Sequence, residues 1–401
     1  MNPSSRSLRL ASRTEAISPF QVMELAKRAR QRELQGHPVI HLSIGEPDFT
    51  APAPVRAALE RAVRAGHSQY TAANGTAELR EAIARDYQQR HGLKIDASRI
   101  IITAGASGAL TLACSALVDV GDEVLLTDPG YPCNRHFVAA FDGVPKGVPV
   151  DAGTRFQMTA ELLESNWTQR TRGALLASPA NPTGTSIPFD ELGRIVAAIR
   201  ARSGFCIIDE IYLGLSYDGP ARSALELGDD LIICNSFSKY FHMTGWRLGW
   251  LVVPPGLVST FEKLAQNLFI CASSLAQHAA LACFEPETLE IYEARRLAFA
   301  HRRDFIVPAL RTLGLDVPVM PDGAFYAWLD CSRFGHSDVL AARLLEQANV
   351  SLVPGHDFGM NEPHRWMRLS YATGIESLRE AVSRIEACLG RPQDAGPSRL
   401  G

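Results

Sequence analysis

Hydrophobic residues along this chain fall into short unbroken runs separated by segments of helical period. Arg99-Ile100-Ile101-Ile102-Thr103 predicts a strand, after which Gly105 to Gly108 turn into an apolar helix over Ala109–Val118. Glu123–Thr127 predicts a second strand, stopped by Asp128-Pro129-Gly130, and Ala174–Ala177 a third. A loop through Asn181-Pro182-Thr183-Gly184 then leads to a helix over about Phe189–Ala201. Further strands are predicted at Phe205–Asp209, Leu231–Asn235 and Leu248–Val253. Runs this apolar belong to strands covered on both faces, which implies a mostly parallel sheet flanked by helices. The last third reads differently. Long helical patterns at about Pro286–Thr312 and Ser337–Asn349 surround strand-like pieces at Phe325–Trp328 and Trp366–Ser370, as in a smaller α+β domain. In such α/β folds ligands bind beyond the carboxyl ends of the strands, and the polar residues of interest do follow the apolar runs.

The whole-chain numbers narrow the class. The 401 residues suffice for about two domains. Hydrophobic residues make up 46% and charged residues 21%, which excludes a disordered or collagen-like chain. A net charge of -3 removes the electrostatic basis for nucleic-acid binding, and no apolar run is long enough to span a membrane. Eight scattered cysteines without a CxxC pair read as free thiols in a reducing, cytoplasmic setting, with neither a disulfide framework nor a metal site. Arg6, Arg9 and Arg13 among serines faintly imitate a transit peptide, but the expectation is an N-terminal arm over 1–30, flexible through Arg13, with a flexible tail over 391–401.

The strand ends carry the candidate chemistry. Asp209 ends an apolar run, where a lone Asp ordinarily caps a turn, yet no nearby Lys or Arg pairs with it. Tyr212 follows at a spacing that can reach the same crevice, although a tyrosine there often only packs. Lys239 closes Asn235-Ser236-Phe237-Ser238-Lys239 and would ordinarily be a solvated loop lysine. Two hydroxyls before it and Arg247 after it make a plausible dianion cradle, and a desolvated lysine suits Schiff-base chemistry. Thr103-Ala104-Gly105-Ala106-Ser107-Gly108 opens a helix with small residues, a second place for a phosphate. It is neither a dinucleotide nor a nucleoside-triphosphate motif.

Together these pieces resemble the fold type I pyridoxal-phosphate enzymes, and most closely the class I/II aminotransferases. The resemblance runs from about Ser18 to Leu389. It rests on Gly45-Glu46-Pro47-Asp48-Phe49, Tyr70, the Gly105–Leu110 loop, Asp128-Pro129-Gly130-Tyr131-Pro132, Asn181-Pro182-Thr183-Gly184, Asp209-Glu210-Ile211-Tyr212, Ser236-Phe237-Ser238-Lys239, Arg247 and Arg368-Leu369-Ser370, in family order. It implies a large domain over 51–285 with a mostly parallel sheet of seven strands. A small α+β domain would be built from 31–50 and 286–390. It also implies pyridoxal 5'-phosphate as cofactor, with Lys239 as its Schiff-base partner and proton carrier and Asp209 as the partner of its ring nitrogen. Tyr212 and Asn181 would face its phenolic oxygen, and Tyr131 its ring. Ala106, Ser107, Ser236, Ser238 and Arg247 would hold its phosphate, joined by Tyr70 from the partner subunit of a homodimer. Arg368, rather than its neighbour Arg365, would grip the substrate α-carboxylate, with Asn181 beside it and Gly45 allowing close approach.

The substrates implied are an amino acid and a 2-oxo acid exchanged in ping-pong fashion. Some aspartate aminotransferases that resemble this chain carry a lysine where it has Ser107, so the expectation is a donor with a neutral or apolar side chain. Arg135 and His136, just after Tyr131-Pro132, could substitute for that lysine, but the expectation is that they simply face solvent. An aspartate aminotransferase, a β-lyase on the same fold and a non-enzymatic binding protein are the alternatives. Retention of Lys239, Asp209 and Arg368 together argues against the last.

Overall fold

The computed structural model describes residues 8–15, 17 and 21–390. The expected tail over 391–401 and part of the expected N-terminal arm lie outside them. The first strand, β1 (Ile40–His41), is separate from the main sheet. That sheet is built from β2 (Ile100–Thr103), β3 (Glu123–Asp128), β4 (Val144–Pro149), β5 (Thr171–Ala177), β6 (Phe205–Asp209), β7 (Ile232–Ser236) and β8 (Gly249–Val252). Their spatial order is β2-β8-β7-β6-β5-β3-β4. All run in one direction except β8, which is antiparallel to both of its neighbours.

Alternation along these strands explains why their sequences read as unbroken apolar runs. Ile100, Ile102, Leu176, Ile208 and Ile233 enter one buried cluster. The intervening Ile101, Leu175, Ile207 and Ile232 enter another on the opposite face. Both faces are therefore dry, and each buried Leu or Ile contributes roughly 1.5–3 kcal/mol. Helices at Ala77–His91 and Phe189–Arg200 cover the first face. Helices at Gly105–Leu117 and Val258–Leu268 cover the second.

Three sequence expectations are corrected. The helix expected from Ala109 begins at Gly105, because the small residues form its first turn instead of preceding it. The edge strand β4 escaped prediction: Pro145, Lys146, Gly147 and Pro149 leave it largely exposed and without an apolar run. The helix expected as one piece over Ser337–Asn349 is α-helical only over Ser337–Arg343, then widens to a π turn over Leu344–Ala348.

The last third supplies β9 (Tyr326–Asp330), β10 (Val350–Ser351), β11 (Val353–Pro354) and β12 (Trp366–Ser370). A three-stranded antiparallel sheet has the order β11-β12-β9, and β10 pairs in parallel with β1. A 27-residue helix at Pro286–Thr312 runs along this part. Early and late stretches of the chain thus meet in the small domain, again where the Ser370 N–H donates to the Leu42 carbonyl at 2.7 Å.

Candidate active site

Five strand ends converge on one cleft of about 380 Å³. Its walls include Ala106 and Ser107 after β2, Tyr131 after β3, Asn181 after β5, Asp209 and Tyr212 at the end of β6, and Ser238 and Lys239 after β7. The reversal between β7 and β8 is what places Lys239 there. Ser236 pairs with Gly249 across that antiparallel step, so the intervening turn projects from the carboxyl edge with Lys239 and Arg247 on it.

Lys239 is desolvated by the cleft, which lowers its amine to about 8. The carboxylates of Glu46 and Asp209 oppose that fall, whereas Arg368 and Arg247 add to it. Nζ donates to the Gly45 carbonyl at 2.6 Å. Asp209 is buried at the sheet centre, between Ala177 and Cys234 on neighbouring strands. Burial raises its carboxyl to about 6, against a 3.1 Å hydrogen bond from the Ile211 N–H and the nearby Lys239 charge. A buried carboxylate with so few donors is suited to a cationic N–H from a bound group. Glu210 points elsewhere and is held by the Ser223 hydroxyl and, at 2.6 Å, the Ala224 N–H.

The phosphate end fits equally well. The helix Gly105–Leu117 opens without any side-chain cap, so its first N–H groups face the cleft beside Ala106 and Ser107. Gly105 has φ +73, and a Cβ there would lie 2.5 Å from Arg247 Nη2. The glycine is thus what lets the guanidinium approach the helix terminus. Ser238 lines the cleft, while Ser236 lies beneath it, joined to Ser238 Oγ at 3.0 Å and to the Leu248 carbonyl at 3.1 Å.

At the other end stands Arg368, fully buried on β12. Nη1 donates to Asn181 Oδ1 at 3.0 Å and Nη2 to the Ser43 carbonyl at 2.6 Å, while Nε has no partner among the described residues. Arg368 lines the cleft and has no carboxylate partner among the described residues, so its guanidinium is a ready seat for one. Arg365, the sequence rival, faces solvent and pairs with Asp330 and Glu362.

Arg135 lines a smaller adjoining cavity of about 180 Å³, with Nη2 on the Asp357 carbonyl, and His136 lines neither cavity. Tyr70 is 83% exposed and is not part of this chain's own cleft. Sequence reasoning missed Tyr326, whose hydroxyl is 2.9 Å from that of Tyr212, and the apolar wall of Val22, Ala26, Ile44, Leu110 and Phe137. Tyr326 lay within a predicted strand, but nothing in its local sequence marks which side chains it meets.

A mostly parallel sheet with a desolvated lysine, a buried carboxylate and an anion cradle at its carboxyl edge defines a fold type I pyridoxal-phosphate enzyme. Residues 37–385 match the family "Aminotransferase class I and II", and the chain belongs to that family. A valine–pyruvate aminotransferase of Mycobacterium tuberculosis is 39% identical over 377 residues, covering 93% of this chain and 97% of that protein. An aspartate aminotransferase of Rhizobium meliloti is 34% identical over 95% of this chain and 96% of that one. Among solved structures, the aspartate aminotransferase of Thermus thermophilus with maleate superposes with a TM-score of 0.89 at 31% identity, covering 95% of this chain and all of that one. The protein is therefore an aminotransferase that uses pyridoxal phosphate.

Proposed function

We propose that this aminotransferase takes an L-amino acid with a neutral, apolar side chain, of the size of valine, and passes its amino group to a small 2-oxo acid such as pyruvate. The observation that carries this reading is the charge inventory of the cleft. Its lining cations are Lys239, Arg247 and Arg368, and this reading assigns each of them to the coenzyme or the α-carboxylate. Beyond the polar groups assigned to the coenzyme or the α-carboxylate, the wall is apolar at Val22, Ala26, Ile44, Leu110, Phe137 and Ile211, with Tyr326 and Glu46 as its polar members, and Glu46 would repel a second carboxylate. The valine–pyruvate relative agrees with this choice, and the aspartate relatives make aspartate the competing donor.

Pyridoxal phosphate, when bound, supplies an electron sink for the bond broken at the substrate Cα. The chain's own residues do the rest. Arg368 and Asn181 orient the carboxylate. Lys239, with its amine lowered to about 8, exchanges a proton at Cα near neutral pH. Asp209 keeps the coenzyme's ring nitrogen protonated, and Tyr131 packs against the ring. Tyr212 and Asn181 hydrogen-bond its phenolic oxygen, while Ala106, Ser107, Ser236, Ser238 and Arg247 hold the phosphate. The same reading assigns 51–285 to the large domain and 31–50 with 286–390 to the small one. It pairs two chains so that Tyr70 of each reaches the other's phosphate.

A panel of amino donors against several 2-oxo acids tests the substrate assignment. Aliphatic donors are expected to exceed aspartate in kcat/KM by about tenfold or more, the scale of one unpaired buried charge. A preference for aspartate or glutamate would overturn it.

A further inference from the structure

We propose that Tyr326 is a positioning residue that orients the Tyr212 hydroxyl toward the coenzyme and couples that orientation to filling of the Arg368 carboxylate seat. This rests on the reading above, in which Tyr212 faces the phenolic oxygen and Arg368 takes the α-carboxylate.

Tyr326 and Arg368 lie on neighbouring antiparallel strands. Arg368 is opposite Trp328, which places Tyr326 diagonally across the same face. The guanidinium carbon sits 4.6 Å from the centre of the Tyr326 ring, a cation–π contact in a fully buried setting. The Tyr326 hydroxyl is 2.9 Å from the Tyr212 hydroxyl, and the two rings meet edge to face. Gly45 makes room for it, since a Cβ there would lie 2.9 Å from the Tyr326 oxygen.

A tyrosine hydroxyl has one proton to donate. Tyr212 can give its proton to the coenzyme only if the bond between the two tyrosines is donated by Tyr326. Such donation also strengthens Tyr212 as a donor, because successive hydrogen bonds polarise one another. The uncompensated guanidinium over the ring makes Tyr326 a better donor. A carboxylate arriving on the Arg368 guanidinium neutralises that cation, weakens the relay and leaves the lysine-bound coenzyme more basic. Substrate binding is thereby reported to the reacting end through two hydroxyls.

The test loads the wild type, Y326F, Y212F and the double variant with pyridoxal phosphate. It follows the pH midpoint of the visible absorbance of the lysine-bound coenzyme, with and without butanoate, a carboxylate lacking an amino group. Y326F is expected to raise the midpoint by about 0.5–1 pH unit, the worth of one hydrogen bond. It should also at least halve the rise that butanoate causes, and change nothing further in the Y212F background. A wild-type midpoint and butanoate response in Y326F would overturn the proposal, as would an equal shift in the Y212F background. G45A, whose methyl group would displace the hydroxyl and leave the ring, should move the midpoint in the same direction. An unmoved midpoint counts against the relay even if Y326F fails to fold. A wild type without a visible band that K239A removes, or without any response to butanoate, would instead overturn the underlying reading.

Discussion

His242 stands three positions beyond Lys239, 3% exposed, packed against Phe49, Tyr292 and Phe299. Neither ring nitrogen has a hydrogen-bond partner among the described residues. Burial lowers its pKa to about 3, and the charges of Arg295 and Arg302 act in the same direction. The ring is therefore neutral in the folded protein, whereas in the unfolded chain it gains a proton below about 6.5. Between those values the unfolded state binds more protons, so stability falls as pH drops, by up to about 1.4 kcal/mol per pH unit from this one residue. Thermal melts from pH 6.5 to 4.5 should show a shallower loss in His242→Phe than in the wild type. Parallel slopes would exclude a neutral buried imidazole.

At the scale of the elements, the passage from β2 into the helix at Gly105 combines a left-handed backbone with a close approach by Arg247. Gly105→Ala should cost about 1 kcal/mol or more from the backbone alone. It should also displace the guanidinium, so that the apoprotein binds pyridoxal phosphate at least tenfold more weakly in an absorbance titration. Unchanged affinity would remove Arg247 from the phosphate site. Much of this architecture was legible in the chain. Asp209, Asn181 and Lys239 stand directly after apolar runs, and a parallel sheet sends such positions to one edge. Edge strand β4 was illegible because its two prolines and its exposure erase the apolar signal. Tyr326 was illegible for another reason: its meaning depends on Arg368, 42 positions later, being the diagonal neighbour in β12.

For the molecule as a whole, Tyr70 belongs to a broader apolar surface. Leu268, Phe269 and Ile270 are 50%, 38% and 53% exposed, and the segment that follows them is tied to Gln69 and Thr71 through Ser274 and Gln277. A patch of this kind marks an interface, and the proposed homodimer would cover it. Light scattering should give a particle of two chains, and Tyr70→Phe should weaken coenzyme binding without dissociating them. A monomer that binds pyridoxal phosphate at full strength would exclude the shared site. The ion pair between Asp48 and Arg302, at 2.7 and 2.9 Å, binds the Gly45 loop to the long helix Pro286–Thr312. It gives the substrate end an anchorage of its own.

That separation has a consequence for descent. Ser238, Lys239 and Arg247 come from a single reversal between β7 and β8, whereas Gly45 and Arg368 come from opposite ends of the chain. The two segments touch through a few bonds, among them those from Lys239 to Gly45 and from Thr244 to Glu46. On the proposed reading, the wall around Val22, Ile44 and Phe137 could change, and with it the diet of the enzyme, without any change in the segment assigned to the coenzyme.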